Sequence, residues 1–111
     1  MKTPHLLLAS LLCAGFLNSC VSLETAAPPV ATLQSSNLNS SAQLESGRQI
    51  YVGKCTKCHS AEPIRKYPLA DWISDIMPEM AEKSKLTPAE TASVLAYVQA
   101  VLKSPPAPTP G

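Results

Sequence analysis

The sequence predicts an all-α fold, because three of its segments have helical periodicity and none has the alternation of a strand. The clearest helix start is Thr87-Pro88-Ala89-Glu90, where Thr87 can serve as the N-cap and Glu90 completes a capping box. Pro88 suits the first helical position, where a missing amide hydrogen costs nothing. Apolar residues then recur three and four apart, at Val94, Leu95, Val98, Val101 and Leu102.

Two further helices are predicted upstream. Ser40 or Ser41 can cap the first segment, AQLESGRQIYVGKC, because a hydroxyl accepts from backbone amides of the first turn. Its residues at helical spacing are Leu44, Gly47, Ile50, Tyr51 and Lys54. The second segment, LADWISDIMPEMAEKSK, places on one helical side Trp72, Ile73, Ile76, Met77 and Met80. Because Pro78 has no amide hydrogen to donate, we expect it to kink or end the regular part.

Composition divides the chain of 111 residues into one small domain and three non-globular stretches. We predict a signal peptide over 1–19, a flexible linker rich in Ser, Ala, Pro and Asn over 20–41, and a folded domain over 42–103. The Pro-rich residues 104–111 are expected to form a disordered tail, since proline cannot continue a helix. The formal net charge of +1 offers no basic surface of the kind that nucleic acids require.

The first twenty residues predict export. A basic start, a short apolar run and small residues are typical of a cleaved leader, and the run is too short to span a bilayer. Leu17-Asn18-Ser19-Cys20 resembles the lipobox of bacterial lipoproteins, in which the Cys is acylated and the leader is cut before it. The resemblance implies a lipid anchor at Cys20 and a location on the periplasmic or cell-surface side of a membrane. The alternative is an ordinary signal peptide with Cys20 incidental.

Cys13 lies in the predicted leader and Cys20 is expected to be acylated, so Cys55 and Cys58 are the two thiols left to explain. The stretch Cys55-Thr-Lys-Cys58-His59 has four possible explanations: a zinc site, a redox dithiol, a disulfide or covalent haem. A structural zinc site needs four ligands, typically two pairs, and the sequence offers no second pair. A redox dithiol would be expected beside a βαβ pattern, which is missing. A disulfide across two residues would close almost no loop.

Covalent haem is the explanation we favour. Cys-x-x-Cys-His is the c-type attachment spacing, in which both thiols bind the porphyrin and the adjacent His binds the iron. A domain of roughly 60 residues lies below the size of about 70–80 residues at which a core usually suffices alone. A macrocycle would supply the missing core. The prediction is one covalent haem c on Cys55 and Cys58, with His59 as the proximal ligand.

Residues 44 to 102 resemble the small monohaem class I cytochrome c domains. The resemblance rests on Gly47-Arg48-Gln49-Ile50-Tyr51, the CxxCH motif and the C-terminal helix. It implies a three- to four-helix fold wrapped around the haem, with Gly47 close to Tyr97. It also implies an axial Met before the last helix. Met80 aligns with that ligand, and Met77 is the second choice.

The resemblance further implies a single-electron carrier rather than an enzyme. Its partners would be a redox donor and an acceptor at the membrane surface outside the cytoplasm, and the chain would be a monomer or a subunit of a redox complex. Three alternatives stay open. One is a haem protein with an open iron site, such as a gas sensor or a peroxidase-like protein, and another is an electron-entry subunit of a larger oxidoreductase. The third is a non-haem structural lipoprotein in which the CxxCH motif is incidental.

Several other residues have two interpretations each. Trp72 would donate to a haem propionate or simply fill the core. Arg65 and Lys66 would pair with propionates or form a solvated turn, and Pro63 would shape the loop after His59 or mark a plain turn. Two lysines would dock an acidic partner or remain solvated: Lys54, which precedes the motif, and Lys57, which lies within it. We expect a solvent-exposed acidic helix face, made by Asp71, Asp75, Glu79 and Glu82.

Overall fold

The predicted all-α class is confirmed. A computed structural model describes residues 22–33, 39–57 and 59–106, and in these ranges it contains helices and no strand. The α-helices are α1 (Leu23–Ala26), α2 (Ser41–Ile50), α3 (Leu69–Asp71), α4 (Met77–Lys83) and α5 (Pro88–Lys103). Two π-helical turns are Tyr51–Cys55 and Trp72–Ile76, and two 3₁₀ turns are Val30–Thr32 and Ile64–Lys66.

Helix α5 begins as the sequence predicts. The Thr87 hydroxyl accepts from the Glu90 amide at 3.1 Å, and the Thr87 amide donates to the Glu90 carboxylate at 2.9 Å, which closes the capping box. Pro88 is the first helical residue. The buried side of α5 carries the centre of the core, with four fully buried side chains: Val94, Tyr97, Val98 and Val101.

Helix α2 is capped by Ser40, whose hydroxyl accepts from the Gln43 amide at 3.1 Å. The predicted helix does not continue regularly to Cys55. After Ile50 the chain widens into the π turn Tyr51–Cys55, and the Thr56 hydroxyl donates to the carbonyl of Val52 at its end. The widened turn brings Tyr51 and Cys55 into the core, where both are buried.

Helices α2 and α5 pack against each other at Gly47. A Cβ atom built at Gly47 would overlap the Ser93 carbonyl and lie 2.9 Å from Tyr97 Cβ. The predicted approach of Gly47 to Tyr97 is therefore confirmed, and only a residue without a side chain permits it.

The second predicted helix is interrupted just before Pro78 rather than at it. The Met77 amide bonds back five residues to the Trp72 carbonyl, and α4 then starts with Pro78 in its first turn, where no amide is needed. Trp72 and Met77 are buried, whereas Ile76 and Met80 are half-buried. Ile73 was expected on the same side, and that prediction is wrong: it is 50% exposed, because it lies one residue around the helix from Trp72.

Residues 22–33 pack against the helices, although the sequence predicts a flexible linker over 20–41. Ala26 and Ala27 are buried, Arg48 Nε donates to the Ala27 carbonyl at 3.1 Å, and the Tyr97 hydroxyl donates to the Pro28 carbonyl at 2.6 Å. Small side chains let the backbone approach closely enough for these bonds. We call this stretch the N-terminal strap.

The C-terminal boundary lies near the predicted one. Helix α5 ends at Lys103, and the buried Ser104 donates its hydroxyl to the Ala100 carbonyl at 2.8 Å. Pro105 and Pro106 are exposed, and the remaining predicted tail, together with the predicted signal peptide and Cys20, lies outside the described residues. None of the helices in the described ranges has the length and apolarity needed to cross a bilayer.

Candidate functional site

A cavity of about 300 Å³ opens beside the Cys55–His59 stretch. Both π turns, the loop from His59 to Tyr67 and helix α4 contribute to its wall. Its volume is at the lower end of the range of about 300–1,000 Å³ that is typical of ligand pockets. Of the predicted site residues, the structure brings four to this cavity: Cys55, His59, Met77 and Met80.

The Cys55 thiol belongs to the first π turn and is 6% exposed. Burial raises its pKa, and a hydrogen bond with the Ser84 side chain works against that rise. The thiol therefore stays protonated at neutral pH and faces the cavity as an uncharged sulfur. Cys58, its predicted partner, lies outside the described residues.

The His59 side chain is exposed and borders the cavity. Its Nδ1 lies 2.7 Å from the Ser60 carbonyl oxygen. Because a carbonyl can only accept, Nδ1 is the donor in this bond, and in the neutral ring this tautomer has its lone pair on Nε2. A neutral imidazole with a free Nε2 is a metal-ligating form of histidine.

The two methionines lie three residues apart in α4 and share the cavity wall. Met77 is 3% exposed and belongs to the hydrophobic core, whereas Met80 is half-buried against that core. Met80 therefore has less packing to lose if its sulfur turns toward a ligand. The choice of Met80 over Met77 as a metal ligand stays a prediction.

Two buried rings hold the loop that follows His59. The Trp72 indole N–H donates to the Ile64 carbonyl at 3.0 Å, and the Tyr51 hydroxyl donates to the Glu62 carbonyl. The rings meet edge to face with centroids 6.2 Å apart. Burial is the main cause that raises the pKa of Tyr51, so its hydroxyl keeps its proton. Of the two interpretations of Trp72, the structure shows the core position.

The charged residues around the cavity are mostly paired with each other. Lys54 Nζ lies 2.6 Å from Glu90, Lys66 Nζ lies 3.0 Å from Glu62, and Lys83 Nζ lies 2.5 Å from Glu79. Lys66 also lies over the Tyr67 ring at 5.3 Å from its centroid. Lys57 is exposed, and so is the whole predicted acidic face, of which Glu79 borders the cavity.

Sequence reasoning missed three contributors to the site. Tyr67 lines the cavity and meets Trp72 edge to face at 6.4 Å, and the carbonyls of Glu62 and Ile64 receive the two ring donors. Tyr67 follows a 3₁₀ turn and precedes Pro68, so no helical period marks it. An aromatic residue next to a proline, in the loop after a CxxCH motif, was the available signal.

Comparison with known proteins adds no relative: no family model, no curated protein and no solved structure matches the chain. The resemblance to class I cytochromes c therefore stays a prediction. Within the described ranges, no group of three or more His, Cys, Asp and Glu side chains is arranged to hold a metal ion.

The donors around the cavity nevertheless fit a covalently held haem. Cys55 and His59 of the motif line the same cavity as Met77 and Met80, together with aromatic and aliphatic residues. Nitrogen and thioether donors in an apolar setting are the axial set of electron-carrying c-type haems.

Proposed function

We propose that this chain is a monohaem c-type cytochrome that carries single electrons outside the cytoplasm. The observation that supports the proposal best is the shared cavity, because Cys55, His59 and the two methionines reach it from separate parts of the fold. Neither zinc ligation nor a dithiol reaction would need methionine sulfurs opposite the motif.

In this proposal, Cys55 and Cys58 would hold the haem through thioethers, and His59 and Met80 would ligate its iron, with Met77 as the second choice. The haem would supply a reversible one-electron change at its iron. Trp72, Tyr67 and Ile76 line the cavity and would keep water from that side of the haem. A dry setting disfavours the additional positive charge of the oxidised iron and so raises the reduction potential.

The proposal places the protein at a membrane surface, anchored through acyl chains on Cys20. Its partners would be a protein electron donor and a protein acceptor on the same side of the membrane. Lys57, exposed within the motif, is suited to an acidic partner surface.

The test is to produce the mature chain together with a haem-attachment system and to record oxidised and reduced spectra, with and without CO. We expect haem that survives denaturation, a sulfur-to-iron charge-transfer band when oxidised, and no CO shift. The Cys55→Ala/Cys58→Ala double variant is the control and should retain no haem. A rapid CO shift in the unaltered chain would favour the open-site alternative, and absence of covalent haem would refute both.

A further inference from the structure

The loop that carries His59 is held by side chains rather than by regular backbone pairing. Residues 59–63 form no helix, and the next element is the 3₁₀ turn Ile64–Lys66. The carbonyls of Glu62 and Ile64 accept from the Tyr51 hydroxyl and the Trp72 indole. The conformation of the loop therefore depends on two ring donors that lie elsewhere in the chain.

The two donors form one unit. Tyr51 and Trp72 are the first residues of the two π turns, both are buried, and their rings are in edge-to-face contact. A π turn inserts an extra residue into a helix and so redirects the side chains around it. Each of the two π turns therefore begins with an aromatic residue whose polar group donates to the loop after His59.

The identity of the hydrogen-bond acceptor matters most for Trp72, because an indole has a single N–H donor. At 3.0 Å from the Ile64 carbonyl, that donor is already engaged, and Ile64 itself is fully buried. Breaking the bond would leave a buried carbonyl without a donor, which is unfavourable. The geometry thus commits the indole to the protein backbone and not to a haem propionate.

We propose that Tyr51 and Trp72 are positioning residues: they fix the loop after His59 through the Glu62 and Ile64 carbonyls and thereby set the direction of the imidazole. The proposal rests on the proposed haem function for the role of His59. The fixed loop also explains why the His59 ring, although exposed, has a defined Nδ1 bond to the Ser60 carbonyl.

The experiment compares Trp72→Phe and Tyr51→Phe in the mature holoprotein with Tyr67→Phe as the matched control. Tyr67 lines the same cavity, but its hydroxyl interacts with the exposed Lys66 side chain and not with a loop carbonyl. Three quantities are measured: amide hydrogen exchange at residues 60–62 and 64–66, the paramagnetic shifts of the haem methyl groups, and the reduction potential against pH. The first two report loop opening and axial-ligand orientation.

We expect each of the two variants to speed exchange of the loop amides about 10-fold, which is the effect of losing one hydrogen bond. The haem methyl shifts should change, and the pH dependence of the potential should stay that of the unaltered protein. Tyr67→Phe should leave the exchange of the loop amides unchanged, because its hydroxyl does not donate to a loop carbonyl. Tyr51→Phe removes only a hydroxyl, so it keeps the test open if Trp72→Phe does not fold.

Two results would overturn the proposal. A changed pH dependence of the potential in Trp72→Phe, with unchanged loop exchange, would assign the indole to a propionate. Unchanged exchange and unchanged methyl shifts in both variants would mean that the two rings only pack the core and do not position the loop. If the unaltered chain binds no haem, the proposed function fails, but loop exchange in the haem-free protein still decides whether the rings hold the loop.

Discussion

Gly47 lies directly against the Ser93 carbonyl where α2 crosses α5, so closely that an added Cβ atom would overlap the carbonyl group. The contact is between two backbones, and neither can move aside by changing a side-chain rotamer. The neighbouring Tyr97, fully buried, completes the crossing. The packing of α2 against α5, the two longest helices in the described ranges, therefore depends on one missing methyl group.

Replacing Gly47 with Ala should lower the free energy of unfolding by about 3 kcal/mol, the upper part of the range for overpacking a core. Urea titration at neutral pH measures the change. Gly53→Ala is the matched control, since nothing lies within 4 Å of a Cβ built there. That variant should be neutral or stabilised by up to about 1 kcal/mol, because Ala loses less backbone entropy on folding. Equal destabilisation of both variants would argue against the close crossing.

The two methionines should separate into a ligand and a core residue. Met80→Ala should abolish the sulfur-to-iron charge-transfer band of the oxidised protein. Met77→Ala should keep that band and lose about 2–5 kcal/mol of unfolding free energy, because it empties a buried site. Absorption spectra and urea titration of both variants decide the point. If only Met77→Ala loses the band, the assignment is reversed.

The Lys54–Glu90 pair should make stability depend on pH. The Lys54 ammonium, and next the Thr87 amide, hold the pKa of the Glu90 carboxyl below its ordinary value. A carboxyl with a lower pKa in the folded state stabilises the fold above its unfolded pKa of about 4.3, and this contribution is lost as the pH falls through the folded value. Glu90→Gln keeps a capping side chain but removes the charge.

Between about pH 6 and about pH 3, the unaltered protein should therefore lose more unfolding free energy than Glu90→Gln. At the acid end of this range, the unfolding free energies of the two proteins should become similar. Urea titrations across that range give the comparison. Glu82→Gln removes an exposed carboxylate of α4 and serves as the control, with an acid response close to that of the unaltered protein. Parallel curves for Glu90→Gln and the unaltered protein would contradict the coupling.

The N-terminal strap should detach when its part-buried hydrogen bond to Tyr97 is removed. Burial raises the pKa of Tyr97, so its hydroxyl keeps the proton that it donates to the Pro28 carbonyl. Tyr97→Phe should lower the free energy of unfolding by about 0.5–1.5 kcal/mol, the net contribution of one hydrogen bond. Faster amide exchange at Ala26 and Ala27 would show the release. Ser22→Ala, which removes only an exposed cap of α1, should leave these amides protected.

The sequence located the helices where local chemistry determines them. The Thr87–Glu90 capping box identifies the first residue of α5, because a cap depends only on residues within one turn. The close crossing at Gly47 was expected from the resemblance to class I cytochromes c and not from local chemistry. The π turns were missed, since a period of 3.6 residues does not register one inserted residue. The strap was missed because its bond from Tyr97 to Pro28 joins residues 69 apart.

The candidate site was predictable to a similar extent. The spacing of the motif located Cys55 and His59, the resemblance pointed to Met77 and Met80, and these four residues line one cavity. The role of Trp72 was left between two possibilities, because periodicity says which side a ring faces and not which acceptor its N–H meets. The carbonyls of Glu62 and Ile64 carry no mark in the sequence, since every residue has one.

The docked strap also changes how far the domain could travel from an anchor. A free coil over residues 20–41 would have a mean span of about 25 Å. With Ser22 already adjoining the folded body, only Val21 separates it from Cys20, a length of roughly 7 Å when extended. An acyl chain at Cys20 would thus hold the domain flush against the bilayer. Its encounters would become a lateral search in two dimensions, restricted to partners that share the same lipid surface.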